Sequence, residues 1–178
     1  MGLLRGIRAI GRLWRREDGN ATIEFALLFP AFITLFLISF EMGMILIRGV
    51  MLDRATDIAM RELRLGTLSP MSQEGLKQSI CENSVIIPNC GESLLVELRP
   101  VSTTTWEPLG AQVTCVDRTE EVQPVLDFTP GSKNELMLVR VCAVFDPFFP
   151  TTGLAAQLNL DASGAYALVS TSAYVNEP

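Results

Sequence analysis

Hydrophobic residues are concentrated in one long run near the N-terminus. Residues 23–47 contain only two ionisable side chains, those of Glu24 and Glu41. At about 1.5 Å per helical residue, this run exceeds the roughly 30 Å hydrocarbon core of a bilayer. A secretory signal peptide would have a shorter apolar region that ends in a small-residue cleavage site, and the stretch EMGMILIRG has none. The pattern therefore predicts a membrane-spanning helix.

The helical period continues beyond the apolar run and indicates a second, amphipathic part at residues 49–66. Its apolar positions recur at helical spacing between charged ones: Val50, Ala55, Ile58, Ala59 and Leu63. A glycine at position 66 is a typical helix stop. We therefore expect one helix from about residue 23 to about residue 65, with its second part packed on a globular head. Pro30 should bend this helix, because proline removes one intrahelical hydrogen bond.

The period changes after residue 66. Ser69 and Pro70 have the character of an N-cap and first turn, which predicts a short helix ending near Cys81. Strand-like runs follow at residues 93–102, 111–117, 135–145 and 165–175, separated by turns rich in proline and glycine. The sequence therefore predicts an α+β fold with a small antiparallel β-sheet of three to five strands packed on the long helix. The pattern leaves open whether residues 122–128 join that sheet.

All four cysteines lie after the apolar run, at Cys81, Cys90, Cys115 and Cys142. An even number confined to one part of the chain favours disulfides in an oxidising compartment. Three pairings are possible. We favour Cys81 with Cys90, which closes a short loop, and Cys115 with Cys142, which would join two predicted strands. Zinc binding is the alternative, and the absence of histidine and of C-x-x-C spacing counts against it.

A carboxylate at the start of the apolar run is costly to bury and usually has a function. Glu24 lies five residues after Gly19, and a basic stretch with five arginines precedes that glycine. This order of residues resembles the leader of a type IV prepilin. The resemblance implies that a prepilin peptidase cuts between Gly19 and Asn20, which makes Glu24 the fifth residue of the mature chain.

The resemblance extends over residues 15–66 to the TadE/TadF type of minor pseudopilin from tight-adherence (Flp) type IV pilus systems. It rests on the glycine, an acidic residue followed by phenylalanine, Pro30, a second glutamate at Glu41, and an arginine- and alanine-rich continuation. It implies a pilin-like fold and a role in pilus assembly, at initiation or at the tip. The implied partners are the prepilin peptidase, other pilus subunits and minor pseudopilins, and the inner-membrane assembly platform. The alternative function is an uncleaved, signal-anchored envelope protein whose periplasmic head binds a ligand or partner.

The expected organisation is a cleaved leader at 1–19, a transmembrane helix at 20–48, its amphipathic continuation at 49–66 and an exported head at 67–178. Five arginines precede the span and four follow it within the helix. Because the first segment usually sets topology, we expect a cytoplasmic N-terminus and a periplasmic head. The predicted location is the bacterial inner membrane, with incorporation into an extracellular pilus.

The charge and the side-chain inventory narrow the function further. The net charge is −6, and loss of residues 1–19, with five arginines and two acidic residues, would make it −9. A net negative chain argues against nucleic acid as a partner. Without histidine, the chain cannot form Ser-His or Cys-His catalytic pairs. We therefore expect a protein that is not an enzyme and uses no cofactor.

Two carboxylates and one loop are the candidate functional features. In assembly, Glu24 could pair with the new α-amine at Asn20 of a neighbouring subunit. Glu41 could reach the outer headgroups or pair with a cation on a partner helix. Arg48, seven residues further on, is too far away for a direct contact with it. In the loop at residues 146–150, two phenylalanines lie between two prolines, and they either cap the core or insert into a membrane or neighbouring subunit.

Overall fold

The computed structural model describes residues 20–107, 109, 112–120, 122–124, 126–151 and 154–176. In chain order, its elements are helix α1 (Asn20–Arg64), helix α2 (Gln73–Asn83), helix α3 (Cys90–Ser93), strand β1 (Leu94–Pro100), strand β2 (Leu136–Phe145), a short 3₁₀ helix (Ala155–Gln157) and strand β3 (Tyr166–Val175). The predicted α+β fold, with a long N-terminal helix and a small antiparallel sheet, is confirmed.

The chain divides into two compact units between Phe40 and Glu41. The described part of the first unit is helical, and most of its large apolar side chains are exposed, as at Leu27 and Leu35. By length and composition, the helix Ala21–Arg64 can cross a membrane, with a mean hydropathy of 2.2 over its most apolar stretch. Hydropathy alone predicted a membrane segment that extends to residue 48, eight residues beyond the division between the units.

The second part of α1 buries one stripe of side chains in the core of the second unit. Four of its members recur at spacings of three and four residues, and Met60 lies beside them: Leu52, Ala55, Ala59, Leu63 and Met60. This is the amphipathic packing expected from the sequence. The expectation was wrong at Val50, which is 65% exposed. Two residues before Leu52, its side chain points about 200° around the helix from the buried stripe.

Helix α1 ends as the glycine at position 66 predicted. Gly66 has a φ of 66°, a conformation that glycine adopts without steric cost. Its N–H donates to the carbonyl of Leu63 at 3.2 Å, and the N–H of Thr67 donates to the carbonyl of Glu62 at 3.0 Å. These two bonds form a Schellman motif, which satisfies carbonyls that the helix end would otherwise leave without partners.

The three strands form one antiparallel sheet in the order β1-β2-β3. One face of the sheet packs on α1 and α2, and the alternate residues of β2 that reach this core include Val139, Val141 and Phe145. On the opposite face, Leu95 and Val144 form a smaller cluster with Val116. Strand β2, fully covered on both faces, is the centre of the head.

The strand predicted at residues 111–117 is not observed, because its described residues 112–117 have no strand ladder. The free side of β1 is contacted instead by residues 127–129. The N–H of Leu98 donates to Asp127 at 3.0 Å, and the N–H of Thr129 donates to Leu98 at 2.9 Å. The segment that the sequence left open thus meets the sheet through one isolated parallel bridge, between Leu98 and Phe128.

Helix α2 begins later than predicted. Its N-cap is Ser72, whose hydroxyl oxygen accepts the N–H of Gly75 at 3.1 Å, so the assignment of Ser69 as the cap was wrong. Both serines have the side chain that a cap requires, and only Ser72 has an acceptor in reach of the first helical turn. The helix then continues through Cys81 to Asn83.

Candidate functional site

Two charged side chains of α1 are buried against the loop that follows β2. Glu41 is 0% exposed and Arg48 is 7% exposed. Residues seven positions apart lie on the same helix face, two turns from one another. The loop comprises residues 146–150, and we call this arrangement of Glu41, Arg48 and the loop the helix–loop clasp. It lies wholly within the second unit.

Glu41 binds the backbone of the loop with both of its oxygen atoms. Oε1 accepts the N–H of Phe148 at 3.1 Å, and Oε2 accepts the N–H of Phe149 at 3.0 Å. A buried carboxylate needs such partners, because desolvation without hydrogen bonds is costly. From the sequence, we had expected Glu41 to reach the outer headgroups or to pair with a cation on a partner helix. The structure instead places Glu41 on a loop of its own chain.

Arg48 binds the same loop from further along the helix. Its Nη1 donates to the backbone oxygen of Asp146 at 2.9 Å and to the hydroxyl of Tyr166 at 2.5 Å. The centre of its guanidinium group lies 4.5 Å from the ring centroid of Phe148 and 5.0 Å from that of Phe145. A planar guanidinium group can donate hydrogen bonds and stack on aromatic faces at the same time, which a lysine ammonium group cannot do.

Tyr166, the first residue of β3, closes the core beside this arginine. Its ring stacks on that of Phe145, with 5.9 Å between the centroids. Burial raises the pKa of the Tyr166 hydroxyl, and the hydrogen bond and positive charge of Arg48 offset that increase only in part. The hydroxyl therefore stays neutral over the physiological pH range and remains an acceptor for Arg48.

A second arginine holds the loop from its other side. Arg118 donates from Nη1 to the carboxylate of Asp146 at 2.6 Å and from Nη2 to the carbonyl of Val144 at 3.1 Å. The backbone of Asp146 is thus bound by α1, and its side chain is bound by the segment that covers the opposite face of the sheet. The position of the loop is thus set by two separate parts of the head, α1 and the segment that contains Arg118.

The two phenylalanines of the loop differ in exposure. Phe148 is 47% exposed, and Phe149 is half-buried. Of the two alternatives that the sequence left open for these rings, capping of the core does not fit Phe148, since Phe145 and Tyr166 fill that end of the core. Prolines on either side restrict the backbone of the loop, and the N–H groups of Phe148 and Phe149 between them donate to Glu41.

The residues of the expected processing site lie at the start of the described chain. Gly19 lies outside the described residues, and Asn20 is the first residue of α1. Glu24 is exposed on the first unit. Pro30 lies within α1, and the hydroxyl of Thr34 donates to its carbonyl at 2.7 Å. The bend at Pro30 stays a prediction.

Both disulfides join the cysteines that the sequence favoured as partners. Cys81–Cys90 links α2 to α3 with 5.7 Å between Cα atoms, and Cys115–Cys142 links the segment that contains Val116 to β2 with 5.3 Å between Cα atoms. The second bond explains how residues 112–117 are held on the sheet without joining it. It attaches them to the face of β2 and not to an edge.

Sequence reasoning missed Arg48, Asp146 and Tyr166 as members of one site. Arg48 had been considered only as a direct partner of Glu41, for which two helical turns are too far. The signal available was the pair of opposite charges on one face of an otherwise apolar helix, because each of them must find a partner. Their partner is a shared loop, and nothing local to α1 identifies it.

The fold and the clasp define a chain with an N-terminal apolar helix, suited to span a membrane, and a disulfide-bonded α+β head. Residues 19–61 match the family model described as TadE-like protein. The resemblance predicted from the sequence is confirmed over that stretch, which includes Gly19, Glu24, Pro30 and Glu41. The match ends within α1, before the strands of the head. No curated protein and no solved structure matches the chain significantly.

Proposed function

We propose that this protein is a minor pseudopilin that takes part in the assembly, initiation or tip of a tight-adherence (Flp) type pilus. The observation that carries the proposal is the match of residues 19–61 to the TadE-like family. That stretch begins at the expected processing glycine and includes the whole exposed apolar part of α1. The proposed role is structural and not enzymatic.

Processing is the first step of the proposed mechanism. A prepilin peptidase cuts between Gly19 and Asn20, while the N-terminus faces the cytoplasm and the head faces the periplasm. Cleavage removes five arginines and creates a free α-amine at Asn20. Glycine suits such a site, because it has no side chain and allows an extended backbone to approach the protease closely.

Assembly is the second step, and it depends on Glu24. This side chain is exposed at the start of α1, among apolar side chains that are exposed as well. A carboxylate in that setting is stabilised by a cation from a neighbouring subunit, and the new α-amine at Asn20 supplies one. Because each charge must be desolvated, the pair selects the stagger between helices more than it adds stability.

The head is proposed to be exported and to contact other pilus subunits and the inner-membrane assembly platform. Two disulfides suit an oxidising compartment. The helix–loop clasp holds Glu41 and Arg48 inside the head, so that neither side chain needs a partner on another subunit. Within the exposed apolar first part of α1, Glu24 is then the carboxylate that we assign to subunit pairing.

Intact-mass analysis of the protein from cells with and without active prepilin peptidase tests the processing step. We expect a mature chain that begins at Asn20 only where the peptidase is active. Gly19→Val should block cleavage, whereas Gly11→Val, in the same leader, should not. A full-length chain under both conditions would contradict the proposal and favour the uncleaved, signal-anchored envelope protein.

The assembly step is tested by Glu24→Ala in a strain that lacks the native copy. We expect normal cleavage and a normal amount of mature protein, with loss of pili in electron micrographs. The matched control is Glu107→Ala, which removes an exposed glutamate from the head. Normal piliation by Glu24→Ala would disprove the pairing of Glu24 with the α-amine.

A further inference from the structure

Apolar exposure on α1 does not end where the second unit begins. Beyond Glu41, the exposed fractions are 46% at Met42, 62% at Leu46 and 49% at Ile47. Phe148, on the loop bound to Glu41, is 47% exposed. We call these four uncharged side chains the interfacial surface. At about 100° per residue, the three helix positions point to different sides of α1, so the four side chains form a band at neighbouring levels of the helix and not one contiguous patch.

The depth of this surface follows from the length of the span. If Glu24 lies in the cytoplasmic headgroups, about twenty helical residues at 1.5 Å each cross the hydrocarbon core, and the count from Phe25 ends near Met44. Glu41 and Met42 then lie at the outer edge of the hydrocarbon. Because the N–H of Phe148 is 3.1 Å from Glu41, this loop residue lies at nearly the same level.

The clasp supplies hydrogen-bond partners for the charged groups of Glu41 and Arg48, whose desolvation would otherwise oppose such a depth. Both oxygens of Glu41 accept N–H groups of the loop, and Arg48 is bound by Asp146 and Tyr166. The side chain of Asp146 is bound to Arg118, on the far side of the loop. A free carboxylate at the hydrocarbon edge would be costly, and here the chain itself supplies its partners.

We propose that the interfacial surface of Met42, Leu46, Ile47 and Phe148 lies in the outer leaflet, where the head rests on the bilayer and Phe148 is an aromatic anchor. This proposal depends on the membrane anchoring assumed in the proposed function. Lipid is the occupant that the continuity with the span favours, because the same helix carries exposed apolar residues on both sides of Glu41. Aromatic side chains are enriched at this level of a bilayer.

Site-directed spin labelling of the full chain tests the proposal. Phe148→Cys and Leu46→Cys are labelled separately with a nitroxide in protein that keeps both disulfides, and single copies are placed in nanodiscs of phosphatidylcholine and phosphatidylglycerol. Collision with oxygen reports exposure to lipid, and collision with a nickel chelate reports exposure to water. Leu46 lies on α1, so this variant leaves the backbone of the loop unchanged.

Two exposed positions provide the references. Leu35→Cys, 66% exposed in the first unit, reports the span, and Val85→Cys, 91% exposed on the head, reports water. We expect the oxygen-to-nickel ratio at Phe148 and Leu46 to be several-fold above that at Val85 and closer to that at Leu35.

A ratio at Phe148 and Leu46 equal to that at Val85 overturns the inference while leaving the anchor intact, provided that Leu35 is lipid-exposed. A water-exposed Leu35 overturns the anchor and this inference together. If the two sites are water-exposed in single copies and lose contact with both reagents at several copies per nanodisc, the surface is a subunit contact, and the lipid proposal is wrong.

Discussion

The Oε1 atom of Glu41 lies 3.1 Å from the backbone nitrogen of Phe148, which is 107 residues later in the chain. A helix residue that follows an apolar segment is thereby joined to the loop after the central strand of the head. The bond has its counterpart at Oε2 and Phe149, so the carboxylate satisfies two consecutive amides. The clasp thus joins the first residue of the second unit to the loop that follows β2.

Substitution of Glu41 by glutamine should destabilise the head. The amide group keeps one acceptor oxygen and turns its NH₂ group toward the second backbone N–H, so one buried donor loses its partner. We expect the free energy of unfolding to fall by about 1–3 kcal/mol. Denaturant unfolding of the full chain in detergent micelles measures this change.

Hydrogen exchange shows whether the loss occurs at the clasp. The amides of Phe148 and Phe149 should exchange faster in Glu41→Gln. The exchange rates of the amides of β2 should rise only by the amount that the fall in global stability explains. Glu24→Gln is the matched control, since Glu24 is exposed, and it should leave both the stability of the head and the exchange of the loop unchanged. Unaltered protection of the two loop amides in Glu41→Gln would contradict the prediction.

The two tyrosines of the chain should titrate above their ordinary pKa of 10.0 in the native protein. Burial raises the pKa of Tyr166, with a partial offset from Arg48, and burial raises the pKa of Tyr174. Above about pH 10, the native state therefore binds more protons than the unfolded chain, and the free energy of unfolding falls as pH rises. The contribution of the two tyrosines to the free energy of unfolding is fully present below about pH 10, and it is lost as the pH rises through their native-state pKa values.

Tyrosinate absorbance in native and denatured protein measures these titrations. Tyr166→Phe leaves Tyr174 alone and separates the two curves. Coincident titration of the native and denatured chains would show that neither hydroxyl is buried as described.

Loss of the Cys115–Cys142 disulfide should cost more stability than loss of Cys81–Cys90. The two bonds close separations of 27 and 9 residues. Restriction of the unfolded chain contributes about 3.5 kcal/mol for the longer loop and about 2.5 kcal/mol for the shorter one. The double variants Cys115→Ala/Cys142→Ala and Cys81→Ala/Cys90→Ala, compared by denaturant unfolding, serve as controls for one another. A larger loss from the shorter loop would show that native packing outweighs loop entropy here.

A glycine in α2 should resist substitution because of its contact with the preceding turn. A Cβ atom on Gly75 would overlap the backbone oxygen of Pro70. We expect Gly75→Ala to lower the free energy of unfolding by about 1–3 kcal/mol, because the backbone must shift to relieve the overlap. Thermal unfolding of the full chain in micelles measures this loss.

Gly91→Ala is the matched control for that substitution. Gly91 also lies in a helix, and a Cβ atom there would meet open space. Alanine should therefore be neutral or should stabilise by up to about 0.5–1 kcal/mol. Equal effects at the two glycines would mean that the contact with Pro70 relaxes at no cost.

Much of this protein was determined by local pattern. An apolar run longer than a bilayer is thick predicts a spanning helix, whatever the head may be. The stop at Gly66 follows from the conformational freedom of one residue, and the spacing of Ala55, Ala59 and Leu63 predicts which side of α1 packs on the head. The resemblance of residues 15–66 likewise depends on residues that are close together in the chain.

Only the tertiary structure decided where the isolated polar and strand-like features find their partners. An alternating segment such as residues 112–117 suits a strand, but the Cys115–Cys142 disulfide attaches it to the face of β2, and residues 127–129 contact the edge of β1. Two serines near α2 can each cap a helix, and the packing of the turn selects Ser72. The destination of Glu41 is set by a loop 107 residues away, because backbone N–H groups have no sequence signature and become available only where the fold places them.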